Sequence, residues 1–250
     1  MFKRGLRSMM FSLSALMLIV IVTGTGRVSA QNSAWTAWLY SAAIGNILQV
    51  NQAGTVIGDF TLPLAQGFNG YGRWAVVSSG GRYIAYTEFD STQQSPSEQL
   101  FIYDQVIGAI RFTYDMTGAQ ASGFEFSRSA MAFDEGAGRF AFGYLTETGG
   151  WQVVVGDFAT SSALAVLNAG SAPSLQLPGN IVPVVQRLDG QSVMFTAVAY
   201  GTNFLPAYPA FRWDFTSGDV TPDDRYTTIV IDSDLATGQV AAAGFDANQP

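Results

Sequence analysis

The sequence predicts an all-β chain built from repeated four-stranded units. Three observations favour this fold class. Two sequence series recur with a period of about fifty residues, β-branched and aromatic segments are separated by Gly, Ser, Asn and Asp, and no segment after residue 30 has a sustained helical period. Because 48% of the residues are apolar and only 12% are charged, we expect the chain to fold rather than to be disordered.

The first series is a glycine that precedes a strand-like apolar segment. It occurs at Gly81, Gly138, Gly190 and Gly238, at intervals of 57, 52 and 48 residues. The last member is ambiguous, because the segment 234–238 also fits the second series.

The second series is an apolar strand that ends at Asn or Asp before a turn. It ends at Asn51, Asp104, Asp157 and Asp214, at intervals of 53, 53 and 57 residues. Two series with the same period indicate duplication of one structural unit.

Each unit is predicted to contain four short strands joined by turns. The strands of the two clearest units are predicted at 74–79, 82–89, 100–104 and 109–114, and at 129–133, 139–145, 151–158 and 163–167. A third unit starts near Val182. A half unit at 47–51 and 55–60 precedes the three, and a half unit at 227–231 and 239–245 follows them.

The repeat resembles that of the WD40-like, TolB-type β-propellers. The residues that carry the resemblance are Ser79-Gly-Gly-Arg-Tyr-Ile-Ala-Tyr, followed by Gln99-Leu-Phe-Ile-Tyr-Asp. Two features depart from the family pattern: Ser79-Gly80 replaces its Pro-Asp, and the turn Asp134-Glu-Gly-Ala-Gly is longer than the family's. The resemblance spans about residues 35–246 and implies a β-propeller, whereas it implies little about function.

The number of blades has two interpretations. The two half units can complete each other, which gives about four blades closed by N- and C-terminal half units. Alternatively, the chain is an incomplete larger propeller. Either way, we expect one β-propeller domain over residues 31–250.

The first thirty residues have the pattern of a signal peptide. Three basic residues precede an apolar run over 9–22, and the small-residue triplet Val28-Ser29-Ala30 follows. Retention as an uncleaved anchor is the alternative. Export without cysteine or a glycosylation sequon favours a bacterial protein that is periplasmic, at the cell surface or secreted.

The charge of the mature chain argues against several partners. Residues 1–30 hold four of the 12 basic residues and none of the 19 acidic ones, so eight arginines and a net charge of −11 remain. We therefore expect no nucleic-acid partner and no membrane contact after cleavage. Because the chain has no Cys and no His, the commonest nucleophile–base pairs and zinc ligands are missing.

Carboxylates are the abundant reactive groups. Asp232 and Asp234 precede a glycine turn and form a candidate calcium site, although Ala236 and Ala243 stand where further oxygen ligands are needed. A solvated turn explains the same two residues. We predict no other cofactor and no catalytic residue.

We therefore predict an exported, non-catalytic β-propeller that acts as a binding or scaffold module for a protein or carbohydrate ligand. Binding is expected at the loops 90–99, 146–150 and 202–209. The first alternative is a secreted glycan-active hydrolase whose carboxylate pair is drawn from acids such as Glu88, Glu125, Glu147 and Asp157. The second alternative is a fragment of a larger propeller.

Overall fold

A computed structural model of the chain describes residues 36–92, 98–116, 131–146, 150–175, 177, 181–199, 206–223, 229–234 and 239–243. The predicted signal peptide, 1–30, lies outside these residues. Within them, no helix has the length and apolar character that crossing a membrane requires.

Three four-stranded antiparallel sheets follow one another along the chain, and we number them as blades 2, 3 and 4. Blade 2 consists of β4 (Gly70–Val77), β5 (Tyr83–Phe89), β6 (Glu98–Asp104) and β7 (Ala109–Asp115). Blade 3 consists of β8 (Met131–Asp134), β9 (Arg139–Leu145), β10 (Trp151–Asp157) and β11 (Ser162–Asn168). Blade 4 consists of β12 (Ile181–Asp189), β13 (Ser192–Ala199), β14 (Pro206–Asp214) and β15 (Val220–Asp223).

Smaller sheets precede and follow these three blades. Blade 1 consists of β1 (Thr36–Ser41), β2 (Asn46–Asn51) and β3 (Val56–Thr61), and blade 5 of β16 (Ile229–Asp234) and β17 (Gln239–Ala243). The expected N-terminal half unit thus has three strands rather than two. Together the two sheets hold one strand more than a four-stranded blade, and no pairing joins them among the described residues.

Consecutive strands are neighbours in every sheet, and serial four-stranded blades of this kind are the architecture of a β-propeller. The predicted all-β propeller is therefore confirmed. Beyond the strands, the described regular structure is one short 3-10 turn at Pro173–Leu175.

The aspartates of the second series close the turn between the third and fourth strands of blades 2 to 4, and Asn51 closes the turn between β2 and β3 of blade 1. Asp104 accepts a hydrogen bond from the amide of the residue two positions on, at 2.9 Å. Asp157 and Asp214 each accept amides two and three positions on, at 2.7 to 3.0 Å, and Asn51 caps its own turn similarly. The side chain therefore satisfies backbone groups that the turn would leave unpaired.

Apolar faces of adjacent blades meet to form the core. One cluster joins blades 1 and 2, a second joins blades 2 and 3, and a third joins blades 3 and 4. Trp151 and Trp213, both on third strands, are buried in the third cluster.

The two ends of the blades differ. We call the end that carries the turns between first and second strands, and between third and fourth strands, the turn end. The opposite end, the loop end, carries the connections between second and third strands and those between blades.

Hydrogen bonds join neighbouring blades at the turn end. The amide of Gly80 donates to Glu135 Oε1 at 2.7 Å, which links blade 2 to blade 3. Arg139 donates to the carbonyl of Gly190 at 2.9 Å, which links blade 3 to blade 4. The guanidinium of Arg111 also reaches the carbonyl of Phe158 at 2.9 Å. The turn end is therefore fixed from blade 2 to blade 4.

Candidate functional site

A buried carboxylate marks the loop end of blade 2. Glu88 is the next-to-last residue of β5 and is 0% exposed. It lies in the segment 83–89, whose other members are aromatic, aliphatic or threonine. A charged residue within such an apolar segment was the sequence signal for this site. The sequence analysis considered Glu88 only as one possible member of a glycosidase carboxylate pair.

The equivalent positions in the next two blades do not carry a carboxylate. Tyr83 is paired opposite Asp104, and Arg139 and Ser192 are paired opposite the equivalent aspartates of blades 3 and 4. Glu88 lies five residues after Tyr83. The residues five positions after Arg139 and Ser192 are Tyr144 and Ala197, and both are buried. The fold therefore does not require an acid here, and burial of one costs free energy.

Glu88 holds part of the connection between blades 1 and 2. Its Oε2 accepts a hydrogen bond from the amide of Ala65 at 2.9 Å. We call residues 62–65, which follow β3, the linking segment. Oε1 of Glu88 is buried and has no hydrogen-bond partner among the described residues.

Two tyrosines bind the same linking segment. Tyr71 Oη donates to the carbonyl of Leu62 at 2.7 Å, and Tyr86 Oη donates to the carbonyl of Pro63 at 3.0 Å. Together with Glu88, these side chains satisfy three backbone groups within four residues. A third tyrosine, Tyr40 of β1, donates to the carbonyl of Gly72 at 2.9 Å and ties blade 1 to β4.

Gly45 leaves the space that the ring of Tyr71 occupies. Its φ is +63°, and a Cβ atom at this position would lie 2.5 Å from a ring carbon of Tyr71. A side chain here would collide with the tyrosine that holds the linking segment, and the positive φ also favours glycine.

Burial shapes the electrostatics of the site. Burial raises the pKa of Glu88 above its ordinary value of 4.5, and the hydrogen bond from the amide of Ala65 offsets this only in part. Burial, with the nearby Glu88 carboxyl, also raises the pKa of the Tyr40, Tyr71 and Tyr86 hydroxyls. The site therefore favours the uncharged form of all four groups.

The predicted binding loops are described only in part. In the loop 90–99, Asp90 accepts a hydrogen bond from the side-chain amide of Asn69 at 3.0 Å, and 93–97 lie outside the described residues. In the loop 146–150, Thr146 and Gly150 are hydrogen-bonded to each other, and 147–149 lie outside. Of 202–209, the backbone of 206–209 belongs to β14. All three connections leave from the loop end.

The acids proposed for a glycosidase pair are not brought together where they are described. Glu88 lies at the loop end of blade 2, whereas Asp157 ends the third strand of blade 3 at the turn end. Asp157 caps its own turn there. Glu125 and Glu147 lie outside the described residues.

The calcium candidates Asp232 and Asp234 lie at the end of β16. Asp234 is paired with Gln239 and closes its hairpin, as Asp134 is paired with Arg139 in blade 3. The carboxylate of Asp134 accepts an amide of its own turn. The side chains of the two candidates lie outside the described residues, so the calcium site stays a prediction. Among described residues, no group of three acids could hold a metal ion.

No family model matches the chain, and no curated protein matches it. Several solved structures are similar. TolB from Acinetobacter baumannii has 15% identity and a TM-score of 0.47 over 86% of this chain and 48% of its own. A chain of the mitotic checkpoint complex has 18% identity and a TM-score of 0.46 over 85% of this chain and 59% of its own.

The β-propeller domain of the Trilobed protease from Pyrococcus furiosus has 9% identity and a TM-score of 0.43. Its match covers 76% of this chain and 52% of that domain's chain, which is described as having an open velcro topology. The present chain thus spans about half the length of the structures it resembles.

Proposed function

We propose that the chain is a non-catalytic β-propeller scaffold that binds a protein or carbohydrate ligand at its loop end. The observation that carries the proposal is the contrast between the two ends. At the turn end, Gly80, Glu135, Arg139 and Gly190 join three blades through hydrogen bonds. The loops 90–99, 146–150 and 202–209 leave the opposite end, and loops on a rigid framework are the usual binding elements of such folds.

The arrangement of the acids supports a non-catalytic role. A carboxylate pair that cleaves a glycosidic bond stands on either side of one sugar. Glu88 and Asp157 lie at opposite ends of their blades, and the carboxylates of Asp104, Asp157 and Asp214 serve their own turns.

The proposed setting is the bacterial cell envelope or exterior. The segment 1–30 has the charge, apolar run and cleavage triplet of a signal peptide, and removing it leaves a chain with no lysine and a net charge of −11. Such a chain favours neutral or basic ligands over nucleic acids.

Site-specific photo-crosslinking in an exporting bacterial host tests the proposal. A photoreactive residue replaces exposed Ser91 at the loop end, and the matched control replaces exposed Ser217 at the turn end. We expect a discrete adduct from position 91 only. Adducts of equal yield from both positions, or from neither, would contradict binding at the loop end. Turnover of a glycan or peptide that Glu88→Gln abolishes would contradict the non-catalytic role.

A further inference from the structure

Glu88 is a titratable residue whose carboxyl group is hydrogen-bonded to the connection between blades 1 and 2. The linking segment 62–65 is the first half of the connection from β3 to β4, and one of its three side-chain anchors is a carboxyl group. The other two anchors are tyrosines, which stay neutral over the physiological range.

The surroundings of Glu88 suit an uncharged carboxyl. Among the described side chains, the titratable groups that face it are Tyr40 from β1, Tyr71 from β4 and Tyr86 from β5, all neutral hydroxyls. The residue paired opposite it on β6 is the uncharged Gln99. An ionised Glu88 would be a buried charge with no oppositely charged partner among the described side chains, which is far more costly than a neutral acid.

We propose that Glu88 is a pH-sensitive latch: ionisation of its carboxyl group releases the linking segment and loosens the joint between blades 1 and 2. The amide of Ala65 binds a carboxylate more strongly than a neutral acid, but burial of the charge costs more free energy than this hydrogen bond contributes. The segment therefore opens, and water replaces Ala65 at the carboxylate. Tyr144 and Ala197, at the equivalent positions of blades 3 and 4, do not ionise in this range, so blades 3 and 4 have no such device at this position.

The sign of the pH dependence follows from the raised pKa. The closed latch favours the protonated form, so its stability is complete below the ordinary pKa of 4.5. It falls as the pH rises through the higher value of the folded protein. Each pH unit by which the folded pKa exceeds the ordinary one lowers the protection of the Ala65 amide about tenfold at high pH.

Hydrogen exchange measured by mass spectrometry on the full chain tests the latch. Protection of 62–65, corrected for intrinsic exchange, is followed from about pH 4 to about pH 8. We expect protection to fall in the wild type and to stay constant in Glu88→Gln, which keeps an oxygen for Ala65 but cannot ionise. Asp90→Asn, which removes the neighbouring carboxylate, should keep the wild-type profile.

Three outcomes would overturn the latch. They are a flat wild-type profile, the same profile in Glu88→Gln, or an equal loss of protection in blade 3, which would indicate global destabilisation. Infrared spectroscopy of the wild type provides a second measurement if the variant does not fold. A protonated carboxyl band should persist above pH 4.5 and disappear together with the protection of 62–65. Titration of every carboxyl at its ordinary pKa would contradict the proposal.

Discussion

The hairpins β4–β5 and β8–β9 both contain a Gly-Arg dipeptide at the turn, but its two residues take different positions in the two hairpins. In blade 2, Ser78 is hydrogen-bonded to Tyr83, and in blade 3, Asp134 is paired with Arg139. Both hairpins therefore have four turn residues. The glycine of positive φ is the third of them in blade 2, at Gly81, and the fourth in blade 3, at Gly138.

The arginines consequently take different positions. Arg82 is the last turn residue of blade 2 and pairs with buried Asp104 of its own blade, at 2.8 to 3.2 Å. Arg139 is the first residue of β9, the second strand of blade 3. Its guanidinium donates to Gly190 and lies over the ring of Phe215, 5.6 Å from the centroid, so it reaches blade 4.

A shift of one residue accounts for the difference. Side chains of a strand alternate between its two faces, so a one-residue shift turns the whole strand over. Tyr83 packs toward blade 3, whereas Phe140, its counterpart when the two glycines are aligned, packs toward blade 2. The same dipeptide thus provides a close ion pair within blade 2, whereas in blade 3 its arginine contacts blade 4 and lies 3.9 Å from Asp157 of its own blade.

The largest loss of stability is expected from a substitution in β9, at a position where blade 3 differs from blade 2. Gly143 corresponds by strand pairing to Thr87 of β5. A Cβ at Gly143 would meet the carbonyl of Pro183 in blade 4 and lie 2.9 Å from its ring. Gly143→Ala should therefore lower the free energy of unfolding by about 3 kcal/mol, as measured by chemical denaturation.

Gly136→Ala is the matched control for that variant. A Cβ there meets only an ordinary contact, 3.6 Å from Asp134 Oδ1, and Gly136 has no positive φ. Equal loss of stability in the two variants would show that β9 and β12 do not approach as closely as described.

The next effect compares the two aspartates that end β6 and β10. Asp104 is buried and accepts two nitrogens of Arg82 and a turn amide, whereas Asp157 has a turn-capping role and lies 3.9 Å from Arg139 Nε. Asp104→Ala should lower the free energy of unfolding by about 2 kcal/mol and Asp157→Ala by about 1 kcal/mol. The reverse order, measured by thermal or urea denaturation, would contradict the distinction between the two blades.

A smaller effect concerns the reach of Arg139 into blade 4. Arg139→Ala should cost about 1 kcal/mol through the lost hydrogen bond and cation–π contact. Hydrogen exchange at the Gly190 turn should become faster, because that turn loses a tether to blade 3. Arg82→Ala serves as the control, and faster exchange of Gly190 in this variant would show that the two arginines act alike.

The smallest effect is a pH dependence opposite in sign to that of Glu88. Burial opposes ionisation of Asp104, but hydrogen bonds from Arg82 and the amide of Val106 outweigh it and hold its pKa below the ordinary 3.8. Its contribution to stability is therefore present above pH 3.8 and lost as the pH falls through the lower folded value. Asp104→Asn should remove this part of the acid dependence in urea titrations between about pH 2 and about pH 5. An unchanged pH dependence of the free energy of unfolding in the acid range would contradict the lowered pKa of Asp104.

Local patterns were sufficient to predict most strands and turns. The β9 range 139–145 matches the structure, and the Asp104, Asp157 and Asp214 turns are where the second series predicted them. The start of β4 was predicted four residues too late. Gly70 and Tyr71 join the strand through pairing with β5, which their own sequence does not reveal.

The candidate site was less predictable. Glu88 was visible as an acid in an apolar segment, but its hydrogen bond to Ala65 spans 23 residues and depends on how blade 1 meets blade 2. Tyr40 and Tyr71 were not distinguished from the other aromatic residues, because any aromatic residue fits a blade interface.

The sequence by itself determined the all-β fold, the period of the blades and the aspartates that close their turns. These features depend on residues close together in the chain: strand propensity, turn conformation and short-range hydrogen bonds to the backbone. The tertiary structure decided the face of each strand, the different roles of Arg82 and Arg139, and the burial of Glu88. Those outcomes depend on contacts between blades, where a one-residue difference in turn geometry decides which neighbour a side chain meets.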